Sequence, residues 1–81
     1  MNETHHTFST VDYDWSGQNV LFVKVTGFDA EKGNEFEGVV KFIQGMPFGD
    51  LIHAEKSPLS ASCRGHLRTY LVRRYQEKEF N

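Results

Sequence analysis

Cys63 and His66 stand three residues apart, a spacing that on a helix brings a thiol and an imidazole to one side of the barrel. With His53, His5 and His6 as further donors, the pair suggests a tetrahedral zinc set. A structural zinc site, however, draws four ligands at characteristic spacings, and only one such pair is present. Cys63 also falls in the middle of an apolar stripe, with His66 at its edge. The ordinary reading is therefore a small buried thiol beside a histidine satisfied by backbone or water. A nucleophilic thiolate needs a helix N-terminus or a cationic neighbourhood, and Cys63 sits well inside a helix facing the core. Nucleophile-elbow, phosphate-loop, HExxH and paired-carboxylate signatures are all missing. The expectation is a protein with no catalytic residue, no metal and no cofactor.

Two other groupings carry binding chemistry. Arg64, Arg68 and Tyr75 fall on one side of the helical wheel, where guanidinium groups beside an aromatic ring suit phosphate and base stacking. Against that, a nucleic-acid domain usually has a basic excess, and this chain has a formal net charge of −2. Arg73, Arg74 and Lys78 are equally well explained by the negative end of a helix dipole. Asp12, Asp14, Glu35 and Glu37 form an acidic row suited to a basic partner.

The elements that must position these groups follow from periodicity. Residues 1–7 are polar and lack a pattern, so they read as a flexible start. From Phe8 to Trp15 the chain alternates, with Val11, Tyr13 and Trp15 on one side and Thr10, Asp12 and Asp14 on the other. After the turn Ser16-Gly17-Gln18-Asn19, Val20 to Thr26 is rich in β-branched residues and reads as a strand. A second turn over Asp29 to Asn34 leads into a third strand, Glu35 to Gln44. Gly38 interrupts that strand and marks a bulge or a close approach. Gly45 to Asp50 reads as a loop; Leu51 to Lys56 is either a helical turn capped by Asp50 or a short fourth strand. Ser57-Pro58 predicts a helix start, with Ser as N-cap and Pro first inside, and the helix runs to about Lys78. Its apolar stripe is Leu59, Cys63, Leu67, Tyr70 and Leu71.

The expected fold is α+β: a three-stranded antiparallel meander over 8–44, a loop and short element over 45–56, and a helix over 57–78 on one sheet face, all in one domain of 81 residues. Pairing Val25 with Phe36, Val23 with Gly38 and Leu21 with Val40, and Trp15 with Leu21, unites Val11, Tyr13, Trp15, Leu21, Val23, Val25, Phe36, Val40 and Phe42 as a core face. It also sets Lys24 against Glu37 and Phe22 against Val39. Trp15 should then be largely buried against the helix. As a diagram, this topology resembles small three-strand-plus-helix DNA-binding domains, which read DNA with the sheet; here the open sheet face is acidic. No family signature is present.

One helix covers one face, so Val20, Phe22, Val39 and Ile43 are expected to stay uncovered, rimmed by Asp12, Asp14 and Glu37, unless Leu51 to Lys56 folds over them. Charge is divided unevenly: residues 1–56 carry four lysines against nine carboxylates, and residues 57–81 five basic groups against two acidic ones. The single cysteine excludes an internal disulfide and fits a reducing compartment. With no signal peptide and no membrane span, the chain reads as cytoplasmic. The favoured function is a small non-enzymatic protein-binding module, a regulator or inhibitor of the phage and mobile-element accessory type. Its partner is another protein or a second copy, held by that open face. The alternative is a nucleic-acid-associated protein using Arg64, Arg68 and Tyr75.

Overall fold

The structure, a computed structural model, describes residues 5–80. Four antiparallel strands follow in chain order, β1 (Thr7–Trp15), β2 (Val20–Asp29), β3 (Asn34–Ile43) and β4 (Met46–Phe48), and each pairs with the next. A short 3-10 turn over Asp50–Ile52 leads to α1 (Ala61–Gln76), the one α-helix among the described residues, which packs on one sheet face. The class is α+β as expected, with a fourth strand in what the sequence suggested was a loop. Gln44 and Gly45 both have positive φ, 52° and 84°, as a two-residue hairpin turn requires, and they fold Met46 back beside Ile43.

The core face collects Leu21, Val23 and Val25 from β2 and Val40 and Phe42 from β3. Against them lie Cys63, Leu67 and Leu71 of α1, with Leu51 and Leu59 before the helix and Phe80 after it. Fully burying side chains of this size contributes about 1.5–3 kcal/mol each.

The β2–β3 register differs from the expected one by two residues. Val25 pairs with Gly38, Val23 with Val40, Leu21 with Phe42, Lys24 with Val39 and Phe22 with Lys41. A two-residue slip keeps every side chain on its own face, so the hydrophobic pattern cannot detect it. Glycines decide the matter. In this register Gly27 lies opposite Phe36, whose ring would sit 2.6 Å from an added Cβ, and Gly38 lies under Leu51, 2.7 Å from one. Each glycine is thus a close-approach site that a larger side chain fills, and the four-residue connection is closed by the Gly33 amide donating to the Asp29 carbonyl at 2.7 Å.

Other expectations are corrected in β1 and α1. Trp15 and Tyr13 pair with Leu21 and Val23 as expected, but the register shifts between Thr10 and Asp12, and Val11 sits on that bulge with 57 % exposure rather than in the core. Trp15 is 41 % exposed; it is pinned at the helix end by donating from Nε1 to the Phe80 carbonyl at 2.6 Å. The helix starts three residues later than Ser57 suggested, with Ser60 as N-cap, while the Ser57 hydroxyl donates to the Leu51 carbonyl and accepts from the Leu59 amide in the turn before it. It ends at Gln76, where Lys78, at φ 60°, turns the chain so that Phe80 tucks in beside Phe42. At the start of the chain Thr7 belongs to β1 and His6 is hydrogen bonded; residues 1–4 lie outside the described residues.

Candidate functional site

The chemistry-bearing side chains gather in three places. The first lies where β2 ends against the start of α1. Asp29, 1 % exposed, closes β2 and faces the helix N-terminus. Its carboxylate accepts from the Ser60 amide (2.7 Å) and hydroxyl (2.9 Å) and from the Glu31 (3.1 Å) and Lys32 (3.3 Å) amides. Burial alone pushes this carboxyl up, but these donors outweigh it and hold it below the ordinary aspartate value. The Ser60 hydroxyl in turn accepts from the Cys63 amide, so a charge-assisted pair completes the helix cap.

His6 joins the group from the start of β1. Its Nδ1 accepts from the Ala30 amide at 2.9 Å, which leaves the ring proton on Nε2, facing the Ser62 hydroxyl at 3.0 Å. His6, Asp29 and Cys63 offer ligand atoms within 4.8 Å of one another. This is a different set from the one the spacing suggested. His66 is exposed and meets the His6 ring edge-on at 5.4 Å, and His53 accepts from the Glu55 amide in the loop after the 3-10 turn. A cation here would have to displace the Ala30 amide from His6 and crowd a carboxylate that already takes four donors. It would also have to displace the proton of a fully buried thiol, whose pKa burial and then the charges of Asp29 and Glu31 push up to about 11. The arrangement fits a structural knot tying β1, β2 and α1 together. A thiol so placed is a poor nucleophile.

The second place is the outer side of α1. Arg68 is exposed, and Arg64 reaches the Ala54 carbonyl at 3.5 Å. Tyr75 does not join them. Its ring stacks on Phe42 at 4.8 Å and 15°, inside the aromatic cluster, and so is not presented to a base. Arg74 lies over the Tyr70 ring and pairs with Glu79 at 3.0 Å. The trio of the nucleic-acid reading is therefore divided between surface and core.

The third place is the open face of the sheet. The register arranges it in cross-strand rows: Val20, Ile43 and Met46; then Asp14, Phe22, Lys41 and Phe48; then Asp12, Lys24 and Val39. Further along come Ser9, Thr26 and Glu37, then Thr7, Phe28 and Glu35. Phe22 is 39 % exposed, Val39 51 %, Ile43 38 %, Met46 53 % and Phe48 49 %, with Val20 half-buried. The 3-10 turn does not cover them, because Leu51 packs over Gly38 on the opposite face. Met46 and Phe48 extend the patch beyond the four residues expected. Pro47 between them points into the core, and that alternation around a Gln-Gly turn was the sequence signal for β4. Asp12 and Asp14 flank the patch on the β1 side as expected. Glu37 lies farther along, opposite Thr26, and its carboxylate is 3.8 Å from the Lys24 ammonium. Lys41 lies 5.9 Å from the centre of the Phe22 ring.

Both sheet edges are blunted. The bulge at Val11 interrupts the β1 edge. On the β4 edge, alternation from the hairpin turn aims the nitrogen of Pro47 outward, where it has no hydrogen to donate. No protein-family model, curated protein or solved structure matches the chain.

Proposed function

We propose that the chain is a non-enzymatic protein-binding module whose working surface is the open sheet face, with Phe22, Ile43 and Val39 at the centre, Val20, Met46 and Phe48 completing the apolar area, and Asp12, Asp14 and Glu37 in the charged surround. The observation that carries this reading is a run of exposed apolar side chains across three strands, with nothing among the described residues lying over it. Large exposed apolar patches with polar rims mark interaction sites, and binding energy concentrates in a few central residues. The blunted edges direct association to the face rather than to strand addition. A regulator or inhibitor acting in the cytoplasm, of the kind mobile elements carry, fits this surface and the single free thiol, and no described helix is long and apolar enough to cross a membrane.

The test compares immobilised wild-type protein with Phe22→Asp in extract of the source cells. A protein retained by the first and absent from the second, with both baits folded by circular dichroism, is expected. Identical retained sets would remove the open face as the working surface.

A further inference from the structure

Resting on the open-face reading, we infer that the occupant of this surface is a cationic amphipathic segment of another protein, aligned with the strands, rather than a second copy of this chain. The face is asymmetric along the strand direction. Its apolar rows end at Val39; the next two rows, with Thr26 and Glu37 and then Phe28 and Glu35, border a groove of about 530 Å³. Two carboxylates and three hydroxyls (Thr7, Ser9 and Thr26) line that groove, together with the half-buried Phe28.

Charge selects the partner. Asp12, Asp14, Glu35 and Glu37 stand against Lys24 and Lys41 on this face, and Lys24 already lies near Glu37. A second copy laid face to face would oppose two surfaces that each carry an acidic excess, which costs affinity and slows encounter. A basic segment neutralises the excess. Its apolar side chains would cover Phe22, Ile43 and Phe48, and a guanidinium or ammonium would reach the groove, where an aromatic ring and carboxylates together suit a cation. Phe22 and Phe28 are six residues apart on β2, about 20 Å at the rise of a strand. The cation therefore belongs about 13 residues from the apolar anchor if the segment is helical, or about six if it is extended.

Three fluorescent 18-residue peptides test this, each with one leucine stripe and with arginine, citrulline or glutamate on its flanks. Anisotropy with the full-length protein should show the arginine peptide binding about tenfold or more tightly than its citrulline isostere at low salt, and the advantage should shrink as salt rises. Combined Glu35→Gln and Glu37→Gln should cut most of the arginine peptide's advantage and leave the citrulline peptide unchanged. Phe22→Asp should weaken both. Equal affinity for the arginine and citrulline peptides, with both still weakened by Phe22→Asp, overturns the cationic partner and keeps the open face. Peptide binding insensitive to Phe22→Asp overturns the open face itself. Failure of every peptide to bind overturns the inference, and a dimer in sedimentation that Phe22→Asp dissolves would then name the second copy as occupant.

Discussion

The two faces of one sheet differ in what surrounds almost identical residues. Val23 and Phe22 are neighbours in β2, yet Val23 is fully buried beneath the helix and Phe22 is 39 % exposed. On the covered face Leu21, Val23, Val25, Val40 and Phe42 cluster with side chains of α1, the 3-10 turn and the tail, and even the glycines are filled by Phe36 and Leu51. On the open face the apolar rows end in solvent. One face therefore supplies the fold, and the other is the surface proposed for binding. Stability and binding should separate cleanly by face.

The largest effect belongs to the covered side. Leu67→Ala should cost about 2–5 kcal/mol, a large part of the margin of so small a domain, read as a lower urea midpoint. An unchanged midpoint would break the assignment of that face as the core. Asp29→Ala should follow closely, at about 3 kcal/mol, because it strips acceptors from three backbone amides and from the Ser60 hydroxyl. The pH dependence sharpens this. Asp29 titrates below its ordinary value when folded, so its contribution is present above that value and is lost as pH falls through the folded pKa. Asp29→Asn should remove that part of the acid limb.

Cys63 acts at the other end of the scale. Its thiol stays protonated up to about 11 in the folded protein and ionises from the ordinary 9.0 when unfolded, so stability should fall between those values. Cys63→Val should flatten that alkaline slope in urea titrations, and a slope unchanged by the substitution would place the thiol outside the core. The smallest effect is a gain. Gly65 is exposed in mid-helix with nothing within 4 Å of an added Cβ, so Gly65→Ala should stabilise by about 0.5–1 kcal/mol. A loss there would mean that something packs on the outer helix surface.

The division into faces is readable from alternation alone, which separates Leu21, Val23, Val25, Val40 and Phe42 from the uncovered set of Val20, Phe22, Val39 and Ile43. What was not readable depends on single residues or on loop length. The register needed the Gly27–Phe36 contact, which no periodicity reveals. Val11 left the core through a one-residue bulge. Met46, Pro47 and Phe48 read as an apolar loop at one end of the sheet rather than as a strand, although a proline with its nitrogen facing outward is compatible with an edge strand. Asp29 looked like an ordinary turn residue; its partners Ser60 and His6 are distant in sequence. Phe80 lay beyond the expected helix end and so was missed as a core residue.

The most direct measurement of this one-sidedness compares adjacent substitutions, Phe22→Asp and Val23→Asp, by far-UV circular dichroism with urea titration. Phe22→Asp should remain cooperatively folded and lose about 1 kcal/mol, the span of strand propensity. Val23→Asp should unfold, because it places an unpaired carboxylate in the core. Equal losses, or an unfolded Phe22→Asp, would contradict the claim that one face folds the protein and the other is free to bind.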